Sequence, residues 1–186
     1  MLQNPRRNDF QAEGWSISKF PAGQILDGFD CGDADLNDYF HKDRLLYLSH
    51  LLTQTYFMSE SIAPDFIVGL VDFCNDAVRK EKFKVKAPDI PEELFHQTLP
   101  AVKITRLGIN KSFQNRNLGS HLMNMIKRFF LSDNRTGCRF ITVDAYNNEK
   151  VLNFYTKNGF QFFTEKDLKH QTRAMFFDLL RLQGMT

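Results

Sequence analysis

Cysteine is scarce in this chain: Cys31, Cys74 and Cys138 are the only three in 186 residues, and none forms a CxxC pair. An odd, widely spaced set argues against a disulfide framework or a zinc site and fits buried, reduced thiols in a cytoplasm. His41, His50, His96, His121 and His170 show neither HxxxH nor HExxH spacing, so no metal is expected. The sequence holds no G-x-S-x-G turn, and no Cys lies close to a His along it, which removes the usual acyl-enzyme nucleophiles. Long apolar runs are missing as well. The stretch from Phe66 to Val71 falls far short of the ~20 residues a membrane-spanning helix needs, and the polar N-terminus offers no signal peptide. Nor is there a charge bias: the formal net charge is +2, so any nucleic-acid partner has to be argued from where charges sit. Repeats and low-complexity tracts are absent too.

What is present is core-forming material. Hydrophobic residues make up 42% of the chain and 19 of them are Phe, enough to exclude disorder. The length fits one domain, expected over residues 15–186, behind a loose tail of residues 1–14. Trp15 to Phe20 alternates as a strand, and the acidic start at Asp33 and Asp35 predicts a helix carrying Leu36, Tyr39, Phe40, Leu45 and Leu46. Thr53 to Met58 and Asp65 to Cys74 read as strands. The charged stretch from Asp76 to Thr98, with Pro88 and Pro91, reads as a short helix plus loops. From Leu99 the order is strand, loop, helix, strand, helix, strand, strand. Leu118, Leu122, Met125, Ile126, Phe129 and Phe130 give the amphipathic helix. Asn148 to Lys157 forms the second, stopped where Gly159 suits a left-handed cap. The fold class is α+β, with one parallel crossover through the amphipathic helix.

The stretch from Ala101 to Ser120 is the most informative. Val102 and Ile104 share one strand face, whereas Leu107 and Ile109 have the opposite parity; either a bulge near Arg106 or a strand covered on both faces accounts for that slip. A polar loop, Asn110 to Arg116, then runs straight into the amphipathic helix, whose first turn holds Gly119 and Ser120. Amides at a helix start lack internal partners and carry partial positive charge, so they suit a pyrophosphate, with Gln114, Arg116 and Ser120 as further donors.

Gln114-Asn115-Arg116-Asn117-Leu118-Gly119 resembles the acetyl-CoA signature Q/R-x-x-G-x-G/A of the GNAT superfamily of N-acetyltransferases, with Asn117 where the family carries Gly. Asn tolerates left-handed backbone angles better than other residues with side chains. The run from Asn147 to Phe160 resembles the second signature of that family, with Tyr155 and the Gly159-Phe160 pair in register. The resemblance implies a GNAT fold: a mixed, mostly antiparallel sheet of six or seven strands flanked by about four helices. It implies that the backbone of Leu107, Gly108 and Ile109 pairs with the pantetheine arm of acetyl-CoA. Amides of Asn115, Arg116, Asn117, Leu118, Gly119 and Ser120 then bind its pyrophosphate, and the Asn148 side chain helps hold the pantetheine.

GNAT enzymes attack the acetyl carbonyl directly with an amine. Such a step needs an oxyanion donor, here the N–H near Ile109, and an acid for the departing thiolate, here Tyr155; read on its own, Tyr155 is equally a core aromatic beside Val151 and Leu152. No carboxylate lies between Leu99 and Ile109, so a general base is sought at Asp72 or Asp144, of which Asp144 reads better as a helix cap. A missing base favours an amine of low pKa. An α-amine at about 7.7–8.0, or an aminoacyl ester below that, suits better than lysine at about 10.4.

The segment Phe29 to Phe40 is similar to the opening helix of the toxin-type GNAT branch, as is the order Ile67 to Asp72, loop, Leu99 to Val102. That branch acetylates aminoacyl-tRNA and is neutralised by a small antitoxin. Arg79, Lys80, Lys82, Lys84 and Lys86 form a basic run that fits either RNA phosphates or a lysine-guarded edge strand. The primary expectation is an N-acetyltransferase acting on a primary amine. Its alternatives are a toxin-type enzyme on aminoacyl-tRNA, a catalytically idle acyl-CoA-binding domain, or an RNA- or antitoxin-binding protein. A homodimer is a further expectation.

Overall fold

The computed structural model describes residues 10–79, 81, 90, 91, 93, 98–134 and 137–183. Its strands form one eight-stranded sheet in the order β1-β2-β3-β4-β5-β6-β8-β7. They are β1 Phe10–Ala12, β2 Trp15–Lys19, β3 Gln54–Glu60, β4 Gly69–Arg79, β5 Thr98–Ile109, β6 Phe140–Tyr146, β7 Gln161–Phe162 and β8 Thr172–Asp178. Four α-helices accompany them: α1 Ala34–Asp38, α2 Arg44–Ser49, α3 Leu118–Leu131 and α4 Glu149–Lys157. Pairing is antiparallel at β1/β2, β2/β3, β3/β4, β6/β8 and β7/β8, and parallel at β5/β6. The α+β class and the single parallel crossover, through α3, are as the periodicity predicted. No described helix is long and apolar enough to cross a membrane.

Contacts divide the chain into two units. One runs up to Cys74 and resumes over Thr105–Phe129; the other comprises Asn75–Ile104 and the chain from Phe130 onward.

In the first unit, order is present before residue 15, and residues 1–9 of the expected tail lie outside the described residues. Phe10–Ala12 is a strand paired with β2, with Ala12 opposite Trp15. Glu13 (φ 54°) and Gly14 (φ 80°) both take left-handed angles, so the two-residue turn matches the right-handed twist of its strands. The helix opened by Asp33, whose carboxylate accepts from the Leu36 amide at 3.0 Å, does not continue unbroken. Tyr39–Asp43 is a π-helical turn. That wider winding sets Tyr39, Phe40 and Arg44, all nearly fully buried, on one inward arc before α2 resumes. Phe20, Leu26, Phe29, Cys31, Tyr39, Phe40 and Leu70 form the core beneath them.

In the second unit Leu99 and Ala101 pack with Val78, Phe140 and Phe163, while Val102 and Ile104 on the opposite face of β5 are buried as well. Buried residues thus stand on both faces of β5 between Leu99 and Ile104, although Pro100, on the face of Val102 and Ile104, is exposed. The end of α4 follows the expected pattern. Gly159 (φ 79°) donates to the Thr156 carbonyl at 2.9 Å and Phe160 to the Tyr155 carbonyl at 3.0 Å, the paired bonds of a left-handed cap. Cys138 is held by its neighbours, its thiol donating to the Phe140 carbonyl at 3.1 Å, and burial pushes its pKa up to about 11. Desolvation likewise raises the Cys31 thiol of the first unit. Neither is an activated nucleophile.

Candidate active site

The residues predicted to hold the cofactor from Leu107 to Ser120, with the oxyanion donor Ile109 among them, fall in the first unit, and the predicted acid Tyr155 and the pantetheine residue Asn148 in the second. Each set is built by its own local rules.

β5 continues through Thr105, Arg106, Leu107, Gly108 and Ile109 after its last ladder pair with β6, Ile104↔Val143. Two glycines allow this end to sit tightly. A Cβ on Gly108 would lie 3.2 Å from the Cys31 Cβ, and one on Gly69 would lie 2.8 Å from Ile109 Cδ1. The strand stops at Asn110, whose amide donates to the Val68 carbonyl at 2.9 Å and whose side-chain oxygen accepts from the Ser112 amide at 3.1 Å. A single 3-10 turn, Lys111–Phe113, follows. Gln114 is extended, and Asn115 (φ 62°) and Asn117 (φ 59°) are both left-handed. Asn117, the departure from the family signature, thus occupies the one kind of backbone position at which Asn is the best replacement for Gly. The His121 amide donates to the Asn117 carbonyl at 3.1 Å, which places Asn117 at the N-terminus of α3. Arg116 lies exposed, its guanidinium 5.6 Å from the Phe113 ring centroid.

Gln114 behaves unlike its expectation. Its side-chain nitrogen donates to the Cys31 carbonyl at 2.7 Å and to the Ile109 carbonyl at 3.0 Å, which uses both amide hydrogens. His121 packs its ring 5.1 Å from that of Trp15, with Nε2 buried and unpartnered among the described residues.

Asp72, a candidate base, is fully buried. One carboxylate oxygen accepts from the Tyr39 hydroxyl at 2.5 Å, while the other has no partner among the described residues. The Tyr39 phenol is pushed far up by burial and then by the Asp72 charge, and the Arg106 guanidinium lies 4.6 Å over its ring. Arg44, also buried, has its pKa lowered by desolvation, opposed by Asp72. This cluster was not legible in the sequence. Tyr39 read there as an ordinary apolar position of an amphipathic helix, and only the π turn points both it and Arg44 inward.

In the second unit Asn148 caps α4: its side-chain oxygen accepts from the Val151 amide at 3.0 Å. The capping role expected of Asp144 therefore belongs to Asn148, four residues later, where the chain turns into the helix. Asp144 instead forms an ion pair with Lys103. Tyr155 is buried on α4, its ring 5.1 Å from Phe154 and 5.3 Å from Phe160, both edge-on. Burial alone drives its phenol well above the ordinary value of about 10. Of the basic run, Arg79 ends β4, while Lys80, Lys82, Lys84 and Lys86 lie outside the described residues.

No curated protein sequence matches this chain. Solved structures do. A crystal structure of a KacT mutant superposes with a TM-score of 0.73 at 20% identity, covering 94% of this chain and all of the other. An AtaT complex with acetyl-methionyl-tRNAfMet gives 0.70 at 21% identity over 92% and 98% of the two chains. An AtaT mutant toxin bound to the C-terminus of the antitoxin AtaR and acetyl-CoA gives 0.64 at 21% identity over 93% and 98%. At such identities these likenesses speak for the fold alone. The sequence itself matches the family described as "Acetyltransferase (GNAT) domain" over residues 70–162, half of the 186-residue chain and a span that takes in both signatures. The chain belongs to the GNAT acetyltransferase family.

Proposed function

We propose that this GNAT enzyme, whose single domain takes in the Phe10–Ala12 strand besides residues 15–186, moves the acetyl group of acetyl-CoA to a primary amine by direct attack on the thioester, in a cytoplasm. One observation carries the reading. Two left-handed asparagines, Asn115 and Asn117, lead directly into the N-terminus of α3, the end of a helix that favours an anion. In the reading, amides from Asn115 to Ser120 take the pyrophosphate, and Leu107, Gly108 and Ile109 offer backbone groups to the pantetheine arm. Asn148 has its oxygen engaged in the cap, so its amide nitrogen is the group that helps hold the pantetheine.

The amine nitrogen bonds to the acetyl carbon, and the carbonyl oxygen becomes an oxyanion facing the Ile109 N–H. The C–S bond then breaks, Tyr155 gives its proton to the departing thiolate, and the proton shed by the nitrogen as it becomes an amide passes to solvent, from which the phenol is reprotonated. A phenol whose pKa burial has raised stays protonated across neutral pH, which is the state this role needs.

The acceptor follows from the carboxylates. Asp72 is buried against Tyr39 and Asp144 is paired with Lys103, so neither is an open base. An amine already partly neutral at pH 7 is therefore the preferred acceptor, and an aminoacyl ester answers that description best. The AtaT structure with acetyl-methionyl-tRNA makes charged tRNA the second specific reading, with a small antitoxin as partner. A homodimer is also proposed. Incubation with labelled acetyl-CoA, charged tRNA, peptides and polyamines tests all of this: label is expected on the α-amine of charged tRNA or of peptides. Faster labelling of lysine side chains than of any α-amine refutes the low-pKa acceptor.

A further inference from the structure

The first position of the acetyl-CoA signature is committed elsewhere before any ligand arrives. Gln114 points its side-chain nitrogen at two carbonyls, those of Cys31 and Ile109, at 2.7 and 3.0 Å. Carbonyls only accept, so only the nitrogen end of the amide can face them, and both of its hydrogens are consumed. The remaining oxygen is an acceptor and repels phosphate.

Around this contact the turn from Gly28 to Gly32 is fastened to the loop at several further points. The Lys111 amide donates to the Asp30 carbonyl at 2.6 Å, and Asn110 Nδ2 reaches the Gly28 carbonyl at 3.4 Å. The turn is itself rigid. Asp30 Oδ1 accepts from the Gly32 amide and from Asn37 Nδ2, each at 2.7 Å. The Cys31 amide donates to Asn37 Oδ1 at 2.9 Å, and His41 Nε2 donates to the Phe29 carbonyl at 2.8 Å. Gly108 completes the seat, with Phe29 and Cys31 packed where its side chain would be.

We infer that Gln114 is a positioning residue that ties the loop ahead of α3 to the Gly28–Gly32 turn, and that this turn sets the affinity for acetyl-CoA without touching it. The inference rests on the cofactor reading. It assigns a function to the Phe29-Asp30-Cys31-Gly32 segment: a rigid rest for the loop.

Acetyl-CoA titration calorimetry on the full chain tests it, beside steady-state kinetics and amide hydrogen exchange without ligand. Gln114→Glu keeps the shape and loses both donors, and Asp30→Ala removes the carboxylate that holds the turn, with its 4.0 Å ion pair to Lys111, and leaves Gln114 unaltered. Each is expected to weaken acetyl-CoA binding about tenfold, to raise KM with kcat little changed, and to speed exchange at the Lys111 amide before ligand is added. The two effects should combine to less than their product, because both act through one contact set. Gln114→Arg, which still offers donors to both carbonyls, should restore most of the affinity. If Asp30→Ala leaves affinity and exchange unchanged while Gln114→Glu weakens binding, Gln114 meets the ligand directly and the inference fails. Absence of acetyl-CoA binding by the unaltered protein overturns instead the cofactor reading on which it stands.

Discussion

In the proposed reading the chain from Gln114 to Ser120 offers a ligand mainly its backbone, whereas around Tyr155 it offers one phenol set among aromatic rings. The first region tolerates a change of side chain wherever the dihedral angles survive. Asn115 and Asn117 hold left-handed angles near 60°, and the signature's glycine is dispensable at Asn117 for that reason. The second region tolerates little. Phe154 and Phe160 set the Tyr155 ring edge-on from two sides, and the feature that separates it from a third phenylalanine is its oxygen. Sequence identity thus matters in unequal ways: as a set of allowed angles in the loop, as a single atom on α4.

The contrast breaks most easily at Tyr155. Tyr155→Phe removes the proposed acid and no shape, so kcat should fall by about 10²- to 10⁴-fold while the Kd for acetyl-CoA moves less than about twofold. Rapid-quench turnover and calorimetry read the two separately, and unchanged turnover would falsify the assignment of Tyr155 as acid.

At Asn117 the expected effect is smaller and acts on binding. Asn117→Val places a β-branched residue at φ 59°, a strain of about 1–2 kcal/mol that should weaken acetyl-CoA binding about tenfold. Asn117→Gly should bind as well as the native chain or slightly better. A valine variant equal to the glycine variant means the loop takes a different path when bound, and the comparison between the two regions loses its basis.

The smallest effect is on stability at alkaline pH. Burial makes the Tyr155 and Tyr39 phenols harder to ionise in the folded chain than in the unfolded chain, where the value is about 10. Stability from these groups is intact below that pH and declines above it, as the unfolded chain releases protons that the folded one keeps. The slope is up to about 1.4 kcal/mol per pH unit for each phenol. Melting curves between about pH 8 and pH 11 should show an alkaline loss that shrinks in Tyr155→Phe. A loss of equal size in that variant places the phenol in water rather than in the aromatic sheath.

Local physics made much of this architecture legible. The three- and four-residue recurrence from Leu118 to Phe130 gave α3 nearly to the residue, and Asn158-Gly159 gave the end of α4. Features set by distant partners were not legible. Gln114 answers to Cys31, a neighbour brought in by the fold across 83 positions. The π turn at Tyr39 depends on what lies beneath it, and periodicity alone reads straight through. The β1 hairpin escaped notice because three residues are too few to alternate, and the mark was the Glu13-Gly14 turn. Asp144 and Asn148 are both good capping residues, and the choice between them fell to the register of β6 and the reach of Lys103.

One consequence concerns light rather than chemistry. Trp15 is the sole indole in the chain, and the hairpin that carries it lays its ring 5.1 Å from the imidazole of His121, on the opening turns of α3. Its fluorescence is a native optical gauge of that helix end. Emission that shifts when a ligand docks nearby can be followed in real time with no dye attached.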